Sequence, residues 1–300
     1  MIVITGATGH TGRAAAEALL AKGEKVRVVG RDAAKLQEFV QKGAEAAAAN
    51  MEDAASLAKA LEGATAAYVL IPPNPTAEDY RSFQGRVADA IALAVAQAKV
   101  SYVVTLSSIG AQHSEGTGPI AGLHSLEQKL NRLRGLNVLH VRADFFMENL
   151  LMSIPPMRTF GMLPGGLPPD FQQGWIAAKD VGAYVARRIA ARDFAESSAQ
   201  EITGPRDFTP KEVAAIIGPA IGKPGLGYMQ VPFLMLEPAL VQMGMPRKTA
   251  GMIVEMWKAT KEGLVKREGP RTPENTMPTT LEAFVAEVFA PAYLEKSATA

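Results

Sequence analysis

The first dozen residues, Met1-Ile-Val-Ile-Thr-Gly6-Ala-Thr-Gly9-His-Thr-Gly12, constrain the fold more than any other stretch. An apolar run from Ile2 to Ile4 stops at three glycines spaced by two residues, and the alanine-rich segment 13–21 that follows has helical character. Strand, glycine turn and helix in that order turn a glycine pattern into a phosphate-binding hypothesis. Such a turn lets the backbone of Gly6, Thr8, Gly9, His10, Thr11 and Gly12 reach a pyrophosphate, and the helix N-terminus adds partial positive charge. Glycine is needed where φ is unusual or where a side chain would block the phosphates.

From this turn to about residue 141, strands and helices alternate. Residues 25–29, 45–49, 66–71, 102–106 and 137–141 read as strands, and 33–42, 52–61, 78–99 and 123–134 as helices. This alternation predicts an α/β Rossmann fold: a doubly wound parallel sheet with helices on both faces. Ligands in such sheets sit beyond the C-terminal strand ends, where the strand order reverses. That rule draws attention to Asn50 and Met51, to Ile71, Pro72 and Pro73, to Ser107, and to residues 142–149. After residue 149 the texture changes. Pro and Gly cluster between 155 and 169, methionine becomes frequent, and helices dominate at 211–221, 234–243, 248–264 and 281–289. The expected organisation is an NAD(P)-binding Rossmann domain at 1–150. A smaller, mainly helical α+β C-terminal substrate lobe at 151–295 completes the same unit, with a frayed tail at 296–300.

Composition narrows the function. A formal net charge of +1 gives no electrostatic case for nucleic acid or an anionic membrane. The chain has no cysteine, which removes disulfides and thiolate chemistry and fits a reducing compartment. No apolar run approaches the roughly 18 residues of a membrane span. The first strand begins beside Met1, so no signal peptide is expected and a cytoplasmic location is. The four histidines show no metal-ligand spacing, and no metal is expected.

The ribose end of a dinucleotide is read at the end of the second strand, where an acid favours NAD and an arginine accommodates the 2′-phosphate of NADP. The chain has Gly30-Arg31-Asp32 there, with Lys35 a helical turn further on. Asp32 has a structural role as the cap of the next helix, whereas Arg31 and Lys35 have none. Two cations near one phosphate favour NADPH over NADH.

Thr5-Gly-Ala-Thr-Gly-His-Thr-Gly12 resembles the glycine motif of extended and atypical short-chain dehydrogenases. Val29-Gly-Arg-Asp32, Ser125-Leu-Glu-Gln-Lys-Leu130, Val141-Arg-Ala-Asp-Phe-Phe-Met-Glu-Asn149, Trp175-Ile-Ala-Ala-Lys-Asp180 and Glu201-Ile-Thr-Gly-Pro205 resemble the NmrA-like branch, in order and spacing, over nearly the whole chain. The resemblance implies a Rossmann domain with a C-terminal lobe. It also implies NADP(H) on the glycine turn and Arg31, flanked by Ile71-Pro72 and Phe145-Phe146. It leaves two functions open: reduction of quinones, dyes or other electron-poor compounds, and redox sensing by a cofactor-bound regulator that acts through a partner without turnover.

Short-chain dehydrogenases that oxidise alcohols use a Tyr-x-x-x-Lys pair. None of the six tyrosines has a lysine four residues later, so that chemistry is not expected. In the equivalent region, His124 and Glu127 lie three apart on one helical face, and Glu127 orienting His124 as a proton donor is one expectation. An ordinary surface pair is the other. Ser107 and Ser108 are candidates to hydrogen-bond a substrate oxygen or to finish a strand. Met147, Asn149 and Trp175, with the methionines to Met162 and the nearby aromatics, are the candidate substrate contacts. They suggest a deformable pocket for a small apolar or aromatic substrate; a methionine-rich core is the alternative. A homodimer or a regulatory protein partner is compatible with this sequence.

Overall fold

The computed structural model describes residues 1–295; the expected tail at 296–300 lies outside the described residues. In chain order the elements begin β1 Ile2–Thr5, α1 His10–Ala21, β2 Val26–Gly30, α2 Gln37–Gln41, β3 Glu45–Ala48, α3 Ala54–Leu61, β4 Ala66–Val69 and α4 Tyr80–Gln97. They continue with β5 Tyr102–Ser108, α5 Ile120–Asn131, β6 Asn137–Ala143, β7 Phe145–Phe146, α6 Ile154–Phe160, β8 Leu163–Gly165, β9 Gln173–Ile176 and α7 Ala178–Ala191. The last are β10 Ser197–Ile202, β11 Asp207–Phe208, α8 Pro210–Ala220, β12 Tyr228–Gln230, α9 Phe233–Gln242, α10 Arg247–Lys261, α11 Leu281–Phe284 and α12 Ala290–Glu295.

Seven parallel strands form the central sheet in the order β10-β6-β5-β4-β1-β2-β3. Period-two alternation explains why both faces are covered. Ile2 and Ile4 point into the core beneath α1 and α7, while Val3 joins the core beneath α3, α4 and α5. The strand order reverses between β1 and β4, so the turns after these two strands flank the crevice.

The sheet is not confined to the first 150 residues. Its edge strand β10 pairs with β6, and α7 packs on α1. Helix α7 turns Val181, Tyr184, Val185 and Ile189 to the core at helical spacing. A β-carbon at Gly182 would stand 2.5 Å from Ala14 Cβ and 2.6 Å from the Thr11 carbonyl, so glycine is what lets the two helices approach. The C-terminal lobe has its own apolar cluster, built from Met147, Leu150, Trp175, Phe208, Ile217, Phe284 and Phe289 among others. Two small sheets, β11-β9-β7 and β12-β8, tie its loops together.

One buried polar pair in the sheet has a thermodynamic consequence. His140 is 2% exposed; its Nε2–H donates to Asn131 Oδ1 at 2.8 Å, and its Nδ1 accepts from the Thr105 hydroxyl at 2.8 Å across β5 and β6. This arrangement suits the neutral ring, and burial pushes the His140 pKa down to about 4. An unfolded histidine titrates near ~6.5. Below that pH the unfolded chain takes up a proton that the folded chain refuses until about 4. The contribution is therefore complete above the unfolded pKa and is lost as pH falls through the folded one. We expect acidification from neutral pH to about 5 to cost roughly 2 kcal/mol through this residue. Denaturant unfolding of wild type and His140→Gln across that range checks it; the variant should show the shallower pH slope.

Candidate active site

The glycine turn is built for close approach by an anion. Gly6 has φ +61°, in the left-handed region. A β-carbon at Gly12 would fall inside contact distance of the Gly6 carbonyl oxygen and 2.7 Å from its carbon. Gly9 is the N-cap of α1 and offers no side-chain acceptor, and the first turn carries no acidic residue. Arg13 N–H bonds the Gly9 carbonyl, while the N–H groups of His10, Thr11 and Gly12 have no backbone acceptor among the described residues. Free donors, a helix N-terminus and glycines where a side chain would intrude together fit a dinucleotide pyrophosphate. The Thr11 hydroxyl is engaged elsewhere. It accepts from the Tyr68 hydroxyl at 3.0 Å in the core, which leaves its own hydrogen as a donor.

At the end of β2, Asp32 caps the following 3-10 turn by accepting from Ala34 N–H at 2.9 Å, as its position predicts. Arg31 and Lys35 are exposed, and among the described residues neither side chain has an ion-pair or hydrogen-bond partner. Asn50 folds its amide oxygen back onto Glu52 N–H, and Met51 is buried in the core beneath α3. Both lie at the end of β3, with their side chains engaged within the protein.

A cavity of about 600 Å³ opens beyond the C-terminal ends of β4, β5 and β6. Ile71 and Pro73 enter from β4, Ser107 and Ser108 from β5, and Asp144, Phe145, Phe146 and Asn149 from the segment after β6. The lobe closes it with Phe171, Gln172 and the α10 residues Met256 and Trp257. Phe145 links the two tryptophans. Its ring is edge-on to Trp175 at 4.8 Å between centroids and tilted against Trp257 at 5.3 Å. Pro72 is half-buried beside this wall without lining it.

Three sequence expectations are corrected by this geometry. Glu127 does not orient His124. The Glu127 carboxylate is buried and takes Arg142 in two bonds, 3.1 and 2.7 Å, and the Ser107 hydroxyl at 2.6 Å. His124 Nδ1–H instead donates to the Ala111 carbonyl at 2.9 Å, and His124 is not among the cavity-lining residues. The reason is reach across the sheet: Arg142 on β6 stands in register with Ser107 on β5, directly beneath α5. Second, Met147 is fully buried in the C-terminal cluster rather than facing the cavity, and Trp175 packs behind Phe145 in the same core. Third, the methionine that lines the cavity is Met256, on a helix whose methionines read as core; Met147 and Met157 are core instead. Asn149 does line it.

Several lining residues carry little signal in the sequence. Trp257 lies in a methionine-rich helix that reads as core. Gln84 does carry one: it shares a helical face with Ala88, Ile91 and Val95, so a polar group sits on the buried stripe of α4. Asp144 and Arg267 are separated by 123 residues and have no local pattern. Asp144 is buried, which pushes its carboxyl above the usual range, while Phe145 N–H, the Thr203 hydroxyl and Arg267 oppose that shift. Through these bonds the Asp144 cluster ties the segment after β6 to the lobe.

The fold and the site define an α/β protein with a glycine turn shaped for an anion and a lobe-covered aromatic cavity. The chain belongs to the NmrA-like family, whose model matches residues 1–285. It is 29% identical over 259 residues to the NAD(P)H azoreductase of Xenophilus azovorans, covering 86% of each chain. Among solved structures it resembles the NADPH-dependent quinone oxidoreductase of Escherichia coli, complexed with NADPH, with a TM-score of 0.81 at 23% identity over 96% of this chain and 100% of that one. The triphenylmethane reductase of Citrobacter sp., complexed with NADP(H), follows with a TM-score of 0.74 at 18% identity over 99% of this chain and 100% of that one. At such identities the structural likeness speaks to the fold. Among the described residues no helix is long and apolar enough to cross a membrane, and no group of three or more His, Asp or Glu side chains is placed to hold a metal.

Proposed function

We propose that this protein is an NADPH-dependent oxidoreductase that reduces small planar, electron-poor aromatic compounds of quinone or dye type, without a Tyr-x-x-x-Lys pair. The observation that carries this reading is the aromatic cavity beyond the ends of β4, β5 and β6, one strand from the glycine turn. The azoreductase relative and the cofactor-bound reductases of the same fold support it.

Each part of the site contributes differently. The N–H groups of residues 10–12 would hold the pyrophosphate. Arg31 and Lys35, at the end of β2 and in the turn after it, would pair with the 2′-phosphate. Bound NADPH supplies the hydride. Ile71, Pro73, Phe145 and Phe146 wall the cavity and exclude water, while Trp257 and Met256 press a flat substrate against that wall. Glu127 and Arg142 neutralise each other within the protein and hold Ser107 in place, so neither serves as a proton donor in this mechanism. His124 is likewise left out of it.

Two experiments test the proposal. NADPH oxidation is measured with quinones, azo dyes and triarylmethane dyes, with simple ketones as controls. Turnover with the aromatic set and none with the ketones is expected; cofactor binding with no oxidation of any compound would instead identify a redox-sensing regulator. The cofactor choice is tested with Arg31→Ala. Its NADPH affinity should fall about tenfold, at the lower end for a charge-assisted contact on an exposed side chain, with NADH affinity nearly unchanged. Equal wild-type affinities for the two cofactors would defeat the assignment.

A further inference from the structure

The wall of the cavity contributed by α4, β5 and α5 carries two polar groups with unused acceptor capacity. Gln84, on α4, is 2% exposed, and its Nε2 donates to the Pro119 carbonyl at 2.8 Å. A carbonyl only accepts, so this bond fixes the amide orientation. The oxygen is left over: among the described residues Gln84 Oε1 is buried with no hydrogen-bond partner. The amide lies across Gly122 of α5, whose missing side chain makes the space: a β-carbon there would collide with the amide carbon and oxygen and stand 2.6 Å from Nε2. Ser107, on β5, is 3% exposed, and its hydroxyl hydrogen is spent on the Glu127 carboxylate. Both residues line the cavity, and both have acceptor capacity that the protein does not use.

A buried acceptor without a partner costs free energy that a ligand donor recovers. We propose that Gln84 is a specificity-determining residue that accepts a hydrogen bond from an O–H or N–H group on the aromatic substrate. The inference rests on the reductase reading and narrows it: the cavity selects hydroxy- or amino-substituted aromatic acceptors over their O- or N-alkylated counterparts. Ser107 adds a second acceptor on the same wall. The residue does not touch the reacting bond, so its effect falls on recognition.

The test compares 4-hydroxyazobenzene with 4-methoxyazobenzene, which differ in the donor and share the flat azo core. Dissociation constants are measured on the NADP⁺-loaded protein by ligand absorbance, and kcat/KM with NADPH in parallel. Wild type should favour the hydroxy compound by about tenfold or more in binding, the scale on which a site built for a donor rejects an analogue lacking it. Gln84→Met keeps the volume and removes the acceptor, and should bring the ratio to within about twofold. NADPH affinity and the unfolding midpoint verify that this variant is folded, and Gln84→Leu serves as a second variant if it is not. A wild-type binding ratio near one, no binding of either compound, or a ratio unchanged in the folded variants overturns the proposal. Binding discrimination that collapses in the variants, without turnover in wild type, would uphold it and remove the reductase reading instead.

Discussion

Gly12→Ala is expected to lower NADPH affinity by roughly 100-fold, the scale of loss when a positioning element moves by about an ångström. The added methyl group would collide with backbone, not with a flexible side chain: the Gly6 carbonyl group stands against it and the Ala7 Cα is 3.1 Å away. Helix α1 and the turn must then separate, which moves the N–H groups of residues 10–12 away from their common focus. Gly85→Ala is the matched control. It lies inside α4 with nothing within 4 Å of the added carbon, so cofactor affinity should not change and stability should rise by about 1 kcal/mol from helix propensity. Titration of NADPH into the three proteins decides the matter. A Gly12→Ala protein that binds like wild type would show that the turn does not cradle the pyrophosphate.

Glu127→Ala should be the most destabilising single change at the site, by roughly 3–5 kcal/mol, because it strands a buried arginine. The Glu127 side chain is 3% exposed and the Arg142 side chain 14%, so water can replace little of the lost partner. The same change frees the Ser107 hydroxyl, which then has a donor to turn toward the cavity. Removing Arg142 as well, in Glu127→Ala/Arg142→Leu, eliminates the uncompensated charge and should recover part of the loss. Denaturant midpoints for the two variants and wild type test this directly. A loss below about 1 kcal/mol in Glu127→Ala would mean that the pair behaves as a solvated surface ion pair.

These two positions mark the extremes of what was legible in the sequence. The turn at Gly6–Gly12 depends on neighbours within one strand, one turn and one helix, and short apolar strands alternating with helices announced the parallel sheet around it. Asp32 as a cap is equally local, since its acceptor reaches the N–H two residues on. Met147 was misplaced for the opposite reason. Its residue type suits both a core and a ligand pocket, and only the docking of the C-terminal cluster around it chose the core. Helix α7 carries helical spacing at Val181, Tyr184, Val185 and Ile189, but only its packing on α1 shows why Gly182 stands on that face.

The amino-acid sequence by itself determined the α/β alternation, the glycine turn before α1 and the cations that follow β2. Each arises from backbone geometry and side-chain periodicity over short spans, which local order encodes. Tertiary structure alone decided which groups face the cavity and which partner each takes. Glu127 had a helical neighbour in His124 but found Arg142, 15 residues away on β6, because the sheet holds that guanidinium under α5 where a buried carboxylate needs it. Gln84 kept a free acceptor for the same kind of reason: Gly122 and Pro119, brought from another helix, fixed its amide and left the oxygen without a partner.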